Sequence, residues 1–258
     1  MLRKRIIPRI LVRKLGNRQA SVISKNFATF FTVGDPLSQA RIMDSNRADE
    51  ISIINADRHS PENHIDFTKL LSQIVTGSMT PISAGGGINS YENASRVMET
   101  GIEKITLPLR AGANNILIVE KLANRHGSQA VQVSLDYSRS SFGFTLRNGN
   151  QVFHESEIYD MLMKYIDAGA GEVAFCNIDR DGSKSGLDFS LMEAMSKEIP
   201  VPSILAGGVN GIDNFVEAFR LGADGVVSGT YIAKMDHSLL QIRSKMAVYG
   251  INVREIAG

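Results

Sequence analysis

Eight short apolar runs, each followed by a helix-length amphipathic segment, constrain this chain more than any other feature. The runs are RIIPRILV, EISIIN, TPISAGGG, EKITLPL, AVQVSLD, GEVAFCNI, VPSILAGG and GADGVVSG. They do not alternate apolar with polar residues, so they read as strands buried on both faces. Between them lie segments such as DFTKLLSQIVTG and IDNFVEAFRLG, several closing on glycine, the usual residue just past a helix end. Strands of this kind joined by helices imply a parallel sheet, and eight such units imply an α/β fold closed into a (β/α)8 TIM barrel. A doubly wound open sheet is the competing arrangement, but it needs edge strands and no run looks like one. With 258 residues, 43% of them hydrophobic, the chain has enough material for one barrel domain over 1–258.

An internal repeat supports closure. ADEISIINADR (48–58) matches AGEVAFCNIDR (170–180) at an offset of 122, which sets Glu50 on Glu172, Asn55 on Asn177, Asp57 on Asp179 and Arg58 on Arg180. ISAGG (82–86) falls on ILAGG (204–208) at the same offset. Polar identities arise by chance less easily than apolar ones. The chain therefore reads as two half-barrels, roughly 1–125 and 126–258.

Composition excludes several classes. A net charge of +1 gives no bulk electrostatic case for nucleic acid or anionic membrane. The single Cys176 has no partner for an internal disulfide, which fits a reducing cytoplasm. No apolar run reaches membrane-spanning length, and the basic start MLRKRIIPRI lacks the apolar stretch and cleavage site of a signal peptide. His59, His64, His126, His154 and His237 show no metal-ligand spacing and are expected in solvated loops; no metal or cofactor is implied. Cys176 and the ten methionines read as core.

In such barrels chemistry sits at the C-terminal ends of the strands. The third and seventh runs end in Gly86–Gly87 and Gly207–Gly208, and the eighth in Gly229–Thr230. Glycine lets backbone N–H groups approach an anion. One glycine pair would read as a tight turn; pairs at matching positions favour two phosphate cradles and a substrate phosphorylated at both ends. DRDGSKSG after the sixth run adds Asp181 and Gly182, expected to contact substrate, with Asp179 capping a turn.

The first and fifth runs, IIPRILVRK and VQVSLDYSR, diverge at one place. The fifth ends on Asp136; the first, which reads as a strand ending at Val12, carries Leu11 there. At the opposite strand ends stand Arg5, Glu50, Lys104 and Glu172, expected to meet from alternate strands as a ring of two positive and two negative charges.

These residues resemble the cyclase subunit of imidazole glycerol phosphate synthase, the HisF family. KRIIP, GDP (34–36), GGGI, HGSQAV (126–131), GAGE (169–172), DRDGSKSG, AGGV, FVEAF and GINVR carry the likeness from residue 4 to residue 254. The resemblance implies that ammonia from a glutaminase partner (HisH-like), docked at the N-terminal face of the barrel, enters through a gate at Arg5, Glu50, Lys104 and Glu172. It implies an acid–base pair of aspartates for ring closure, sound chemistry for opposed proton transfers. Asp136 matches the second aspartate, and Leu11 stands where the first would be. The family's small polar pair after the fourth strand is replaced by Pro108-Leu109, with Arg110 as a charge that could compensate; Lys25 is the candidate for a phosphate-binding lysine. Some relatives with leucine at this position occur beside sugar-modifying enzymes of surface-polysaccharide pathways, which implies an amidation role. A genuine cyclase of histidine biosynthesis and a non-catalytic phosphate-binding scaffold are the alternatives. The alternative for the four charges is a salt-bridge plug that only closes the barrel, but buried ion pairs are weak stability devices, and a complete ring with the top acid lost favours retained ammonia transit.

Overall fold

A computed structural model describes residues 3–57, 61–110, 113–147, 149–234 and 239–254; Arg58, His59 and His237 lie outside them. The order is β1 (Arg5–Leu15), β2 (Arg18–Lys25), β3 (Thr29–Gly34), α1 (Pro36–Ser45), β4 (Ile51–Asn55), α2 (Pro61–Thr76), β5 (Ile82–Gly85), α3 (Tyr91–Met98), β6 (Lys104–Pro108) and α4 (Ala113–His126). There follow β7 (Val131–Ser140), β8 (Gly143–Leu146), β9 (Val152–Phe153), α5 (Glu155–Asp167), β10 (Glu172–Asn177), α6 (Ser190–Met195), β11 (Ser203–Ala206), α7 (Ile212–Arg220), β12 (Gly225–Ser228), α8 (Thr230–Lys234) and α9 (Leu239–Val248).

Eight of these strands pair in parallel in the order β1, β4, β5, β6, β7, β10, β11, β12, and β12 returns to β1. The sheet has closed on itself, so the (β/α)8 barrel holds and the open sheet does not. Strand alternation sorts the side chains. Ile6, Ile10, Val131, Val133, Val173 and Leu205 point outward into the large core beneath the helices. Ile7, Ala174, Cys176, Ile204, Ala206 and Val227 form a separate cluster that fills the lumen. Helices bury their apolar stripe against the outer layer: in α7, Phe215, Val216, Ala218 and Phe219 are buried while Asp213 and Arg220 lie at its two ends. Polar caps start others; Asp35 accepts from Ser38 N at 2.8 Å and Ser90 from Asn93 N at 3.2 Å.

The structure corrects four sequence expectations. First, β1 does not end at Val12 but runs to Leu15, because its outer half pairs antiparallel with β2, which in turn pairs with β3. The stretch RQASVIS is a strand, and Gly16–Asn17 is the turn before it, with Gly16 at φ +62°. A second antiparallel extension, β8 and β9, follows β7. Second, the repeat offset is not uniform. Ile54 pairs with Gly85, while its equivalent Cys176 pairs with Ala206. The second and sixth strands are thus related by 122, but the third and seventh by 121, so ISAGG and ILAGG align one residue away from their letter match. Third, the histidines are not all in loops: His126 ends α4 with a buried Nε2, and His64 falls within α2, whereas His154 is the exposed residue before α5. Fourth, the charged ring does not come from alternate strands.

Candidate functional site

The four charges stand on the first, second, fourth and sixth barrel strands. The residue of the eighth strand paired with Arg5 is Gly225, where an added Cβ would sit 2.6 Å from Ile204 Cδ1 and 3.1 Å from Ile7 Cδ1 in the lumen packing above the ring. Arg5 Nη1 donates to Glu50 at 2.9 Å and Nη2 to Glu172; Lys104 Nζ donates to Glu50 at 3.0 Å and to Glu172 at 2.8 Å. The cycle is closed, and its glutamates are 6% and 5% exposed. Burial by itself raises the Glu172 carboxyl, but Lys104 and Arg5 overcome it and hold it below the usual carboxylate value. Two neutral residues extend the ring upward: Gln132 Nε2 donates to Glu172 at 2.6 Å, and Thr106 Oγ1 to Gln132 at 2.9 Å. Nothing in the letters singles out that pair, since a buried glutamine on a strand has no motif.

At the opposite end of the lumen two adjoining cavities share Arg9, Leu11 and Ser24. One gathers Asp181, Gly182, Gly207, Gly208, Gly229 and Thr230, every residue expected in the second-half cradle. The other gathers Gly86, Gly87 and Asp136. Leu11 and Asp136 therefore line one space, as opposed members of the barrel mouth. Ser134 donates to Asp136 Oδ1 at 2.6 Å, and Arg147 Nη1 lies 3.6 Å from Oδ2. Gly86 and Gly207 have φ near +95° and +91°, and a side chain at either would collide with the carbonyl oxygen of Asn55 or Asn177. These glycines are required by close backbone crossing, and the asparagines turn the chain there: Asn55 Oδ1 accepts from Asp57 N, and Asn177 Oδ1 from Arg180 N.

Other expected residues fall elsewhere. Asp181 lines the cavity but also accepts from Ser24 Oγ, and its backbone oxygen accepts from Asn26 N. Burial pushes its carboxyl upward, and neighbouring Asp136 adds to this. Gly182 packs its backbone directly on Ser24, so Asp181 and Gly182 also fasten the β2–β3 hairpin across the mouth. Phe27, at the hairpin tip with φ +55°, packs against the lumen cluster. Asp179, expected to cap a turn, instead accepts with its carboxylate from Arg139 N at the end of β7, and the turn is capped by Asn177. Lys25 is exposed at the hairpin turn and lines neither cavity; Lys184 is the lysine that does. Arg110 also lines neither cavity, because Tyr165 clamps its backbone outside: the Tyr165 hydroxyl accepts from Arg110 N at 3.1 Å and donates to its carbonyl at 2.8 Å. Pro108 does line the mouth, where it offers no N–H. Cys176 is fully buried, and burial pushes its thiol up to about 12, which makes it inert. Among the described residues no helix is long and apolar enough to cross a membrane.

Comparison with known proteins agrees with this geometry. Residues 5–237 match the family model described as histidine biosynthesis protein. A protein of Prochlorococcus marinus (strain MIT 9313), provisionally named imidazole glycerol phosphate synthase subunit hisF2, is 31% identical over 98% of this chain and 99% of its own length. A Campylobacter jejuni protein with the same provisional name is 29% identical over 98% of this chain and 99% of its own.

Proposed function

The chain belongs to the histidine biosynthesis protein family, and from that premise we propose that it is the barrel subunit of an ammonia-transfer pair. A glutaminase docks at the N-terminal strand face and releases ammonia beneath the ring of Arg5, Glu50, Lys104 and Glu172. Ammonia passes the ring, rises along Ile7, Ala174 and Cys176, and meets a phosphorylated acceptor held by the glycine cradles. There its lone pair attacks an electrophilic carbon of the acceptor. The bond from that carbon to a leaving oxygen breaks as the C–N bond forms, the oxygen departs with its electron pair, and Asp136 takes the proton lost by the new nitrogen. Ring closure of the imidazole needs a second acid, and leucine at position 11 exchanges no proton. The reaction is therefore nitrogen transfer without cyclisation, with a sugar of a surface-polysaccharide pathway as acceptor and the cytoplasm as its place.

The observation that carries this reading is the contrast between the two ends of one lumen. The bottom keeps a complete ring whose every charge has a partner. The top has Leu11 in the cavity that holds Asp136. A stability plug alone is a weaker account, since buried ion pairs seldom stabilise more than apolar packing would. The names of the two relatives, as synthase subunits, support a role within an assembly.

A cyclase reading has one observation in its favour, the survival of both glycine cradles. Complementation separates the two. Expression in a strain lacking the cyclase is expected to give no growth without histidine, and growth would sink the nitrogen-transfer reading. In a reconstituted pair, Lys104→Ala is expected to abolish glutamine-dependent transfer while leaving transfer from added ammonium salts; unchanged glutamine dependence would remove the gate.

A further inference from the structure

The lumen-facing row of β1 runs Arg5, Ile7, Arg9, Leu11. Arg5 is answered by two glutamates; Arg9 is not. Its Nη1 reaches Cys176 Sγ at 3.9 Å, a thiol that stays protonated, and its buried Nε has no acceptor among the described residues. No ion pair joins it to any described carboxylate. Asp136 is hydrogen-bonded by Ser134 and paired with Arg147, and Asp181 is hydrogen-bonded by Ser24; the charge of Arg9 is felt by Asp181 but makes no hydrogen bond or ion pair with either acid. Arg147 enters the same cavity from beyond β7, its guanidinium stacked 4.3 Å from the centre of the Phe27 ring. Its Nη1 is likewise buried without a hydrogen bond. Arg9 thus presents an unsatisfied N–H donor to this space, beside an Arg147 whose Nη1 is held only by a 3.6 Å ion pair to Asp136. Withdrawing such donors from water is costly unless an anion answers them.

We propose that Arg9, with Arg147 beside it, seats a carboxylate of the acceptor at the point where the lumen opens. This rests on reading the mouth as the acceptor site. A planar guanidinium fork matches a planar carboxylate through two parallel hydrogen bonds, whereas the phosphates have the backbone cradles. The walls around the pair, Phe27, Ile54 and Pro108, are apolar and accept the body of a small ring. Leu11 contributes as well. An acid there, one lumen-facing position above Arg9 on the same strand, would supply the negative charge that the ligand is proposed to bring. The substitution that removes the second acid thereby opens an anion seat.

The test is titration calorimetry on the full chain without glutaminase, using D-glucuronate, D-glucose and inorganic phosphate as probes. The native chain is expected to bind glucuronate at least about tenfold more tightly than glucose. Arg9→Gln is expected to weaken glucuronate roughly tenfold to hundredfold, the span of a charged hydrogen bond, and to leave phosphate unchanged. Arg9→Lys keeps the charge but not the fork and should fall between; it also serves if Arg9→Gln fails to fold. Equal binding of glucuronate and glucose by the native chain overturns the proposal. So does glucuronate affinity untouched in both variants, and so does phosphate binding that disappears with Arg9, which would make the seat a phosphate site. Ammonia transit plays no part in this readout, so a failed gate experiment leaves it standing.

Discussion

Lys104→Met removes one member of the charged ring while keeping the length of its stem. Two glutamates then face a single guanidinium. In the native ring Lys104 makes bonds of 3.0 and 2.8 Å to carboxylates whose side chains are 6% and 5% exposed, and is itself 12% exposed. Breaking a buried pair by removing one partner costs about 3–5 kcal/mol, because the other charge stays behind. Arg5 still reaches both glutamates, so the low end, about 3 kcal/mol, applies. At a urea slope of about 3 kcal/mol/M the midpoint should drop by about 1 M at pH 7. The pH dependence has a definite sign. The native Glu172 carboxyl is held below its unfolded value, so its contribution is present above the unfolded pKa and is lost as pH falls through the folded one. The variant loses the cation that lowers it most, so the stability gap between the two proteins should be widest near neutrality and narrow on acidification below about pH 4. Adding Glu172→Gln to Lys104→Met should recover part of the loss, with a coupling above about 1 kcal/mol. A midpoint shift under about 0.2 M at pH 7, or a gap that widens in acid, would refute this account of the ring.

Two further outcomes follow from single positions. Gly182→Ala sets a methyl group against the Ser24 carbonyl at a φ of +67°, so the β2–β3 hairpin should lift from the mouth. The variant should be cleaved by limited proteolysis between residues 25 and 29 much faster than the native chain, with the barrel's far-ultraviolet circular dichroism unchanged; equal cleavage rates would mean the hairpin is held by other contacts. Cys176, with its thiol pushed up to about 12, should present about one thiolate in ten thousand at pH 8. Iodoacetamide should label the native chain negligibly in the time that it fully labels the urea-unfolded chain; comparable rates would show that the lumen opens to solvent.

The mouth of the barrel shows why some of the site was legible and some was not. Glycine pairs at strand ends and an acid at the end of a strand are local features, so Gly86, Gly87, Gly207, Gly208 and Asp136 could be named from their letters. The four ring charges were found because strand starts in a barrel share a level. Arg9, Arg147, Gln132 and Ser134 were not found, since each is an ordinary residue until the barrel closes and sets it against residues far away in sequence. Arg147 was hidden further by its setting just beyond β8, a hairpin that continuous apolar runs do not mark. Its neighbour Phe27 sits in a Lys-Asn-Phe-Ala turn whose dihedrals, not its composition, aim it inward. Arg110 and Lys25 erred the other way: their charge suggested anion binding, but both are exposed and neither lines a cavity.

By itself the sequence determined the closed α/β barrel, through eight strands buried on both faces, and the level of the ring. It also determined that a leucine, Leu11, stands on the first strand where the fifth carries Asp136. Only the tertiary structure decided which charges answer one another. Ion pairing falls off over a few ångströms, and those distances depend on strand register. The register places Gly225 beside Arg5, joins the first strand's arginine to the second and sixth strands' glutamates, and leaves Arg9 four residues on without a carboxylate. A one-residue difference in offset between the two halves, invisible in the letters, sets the glycines of each cradle against their asparagines.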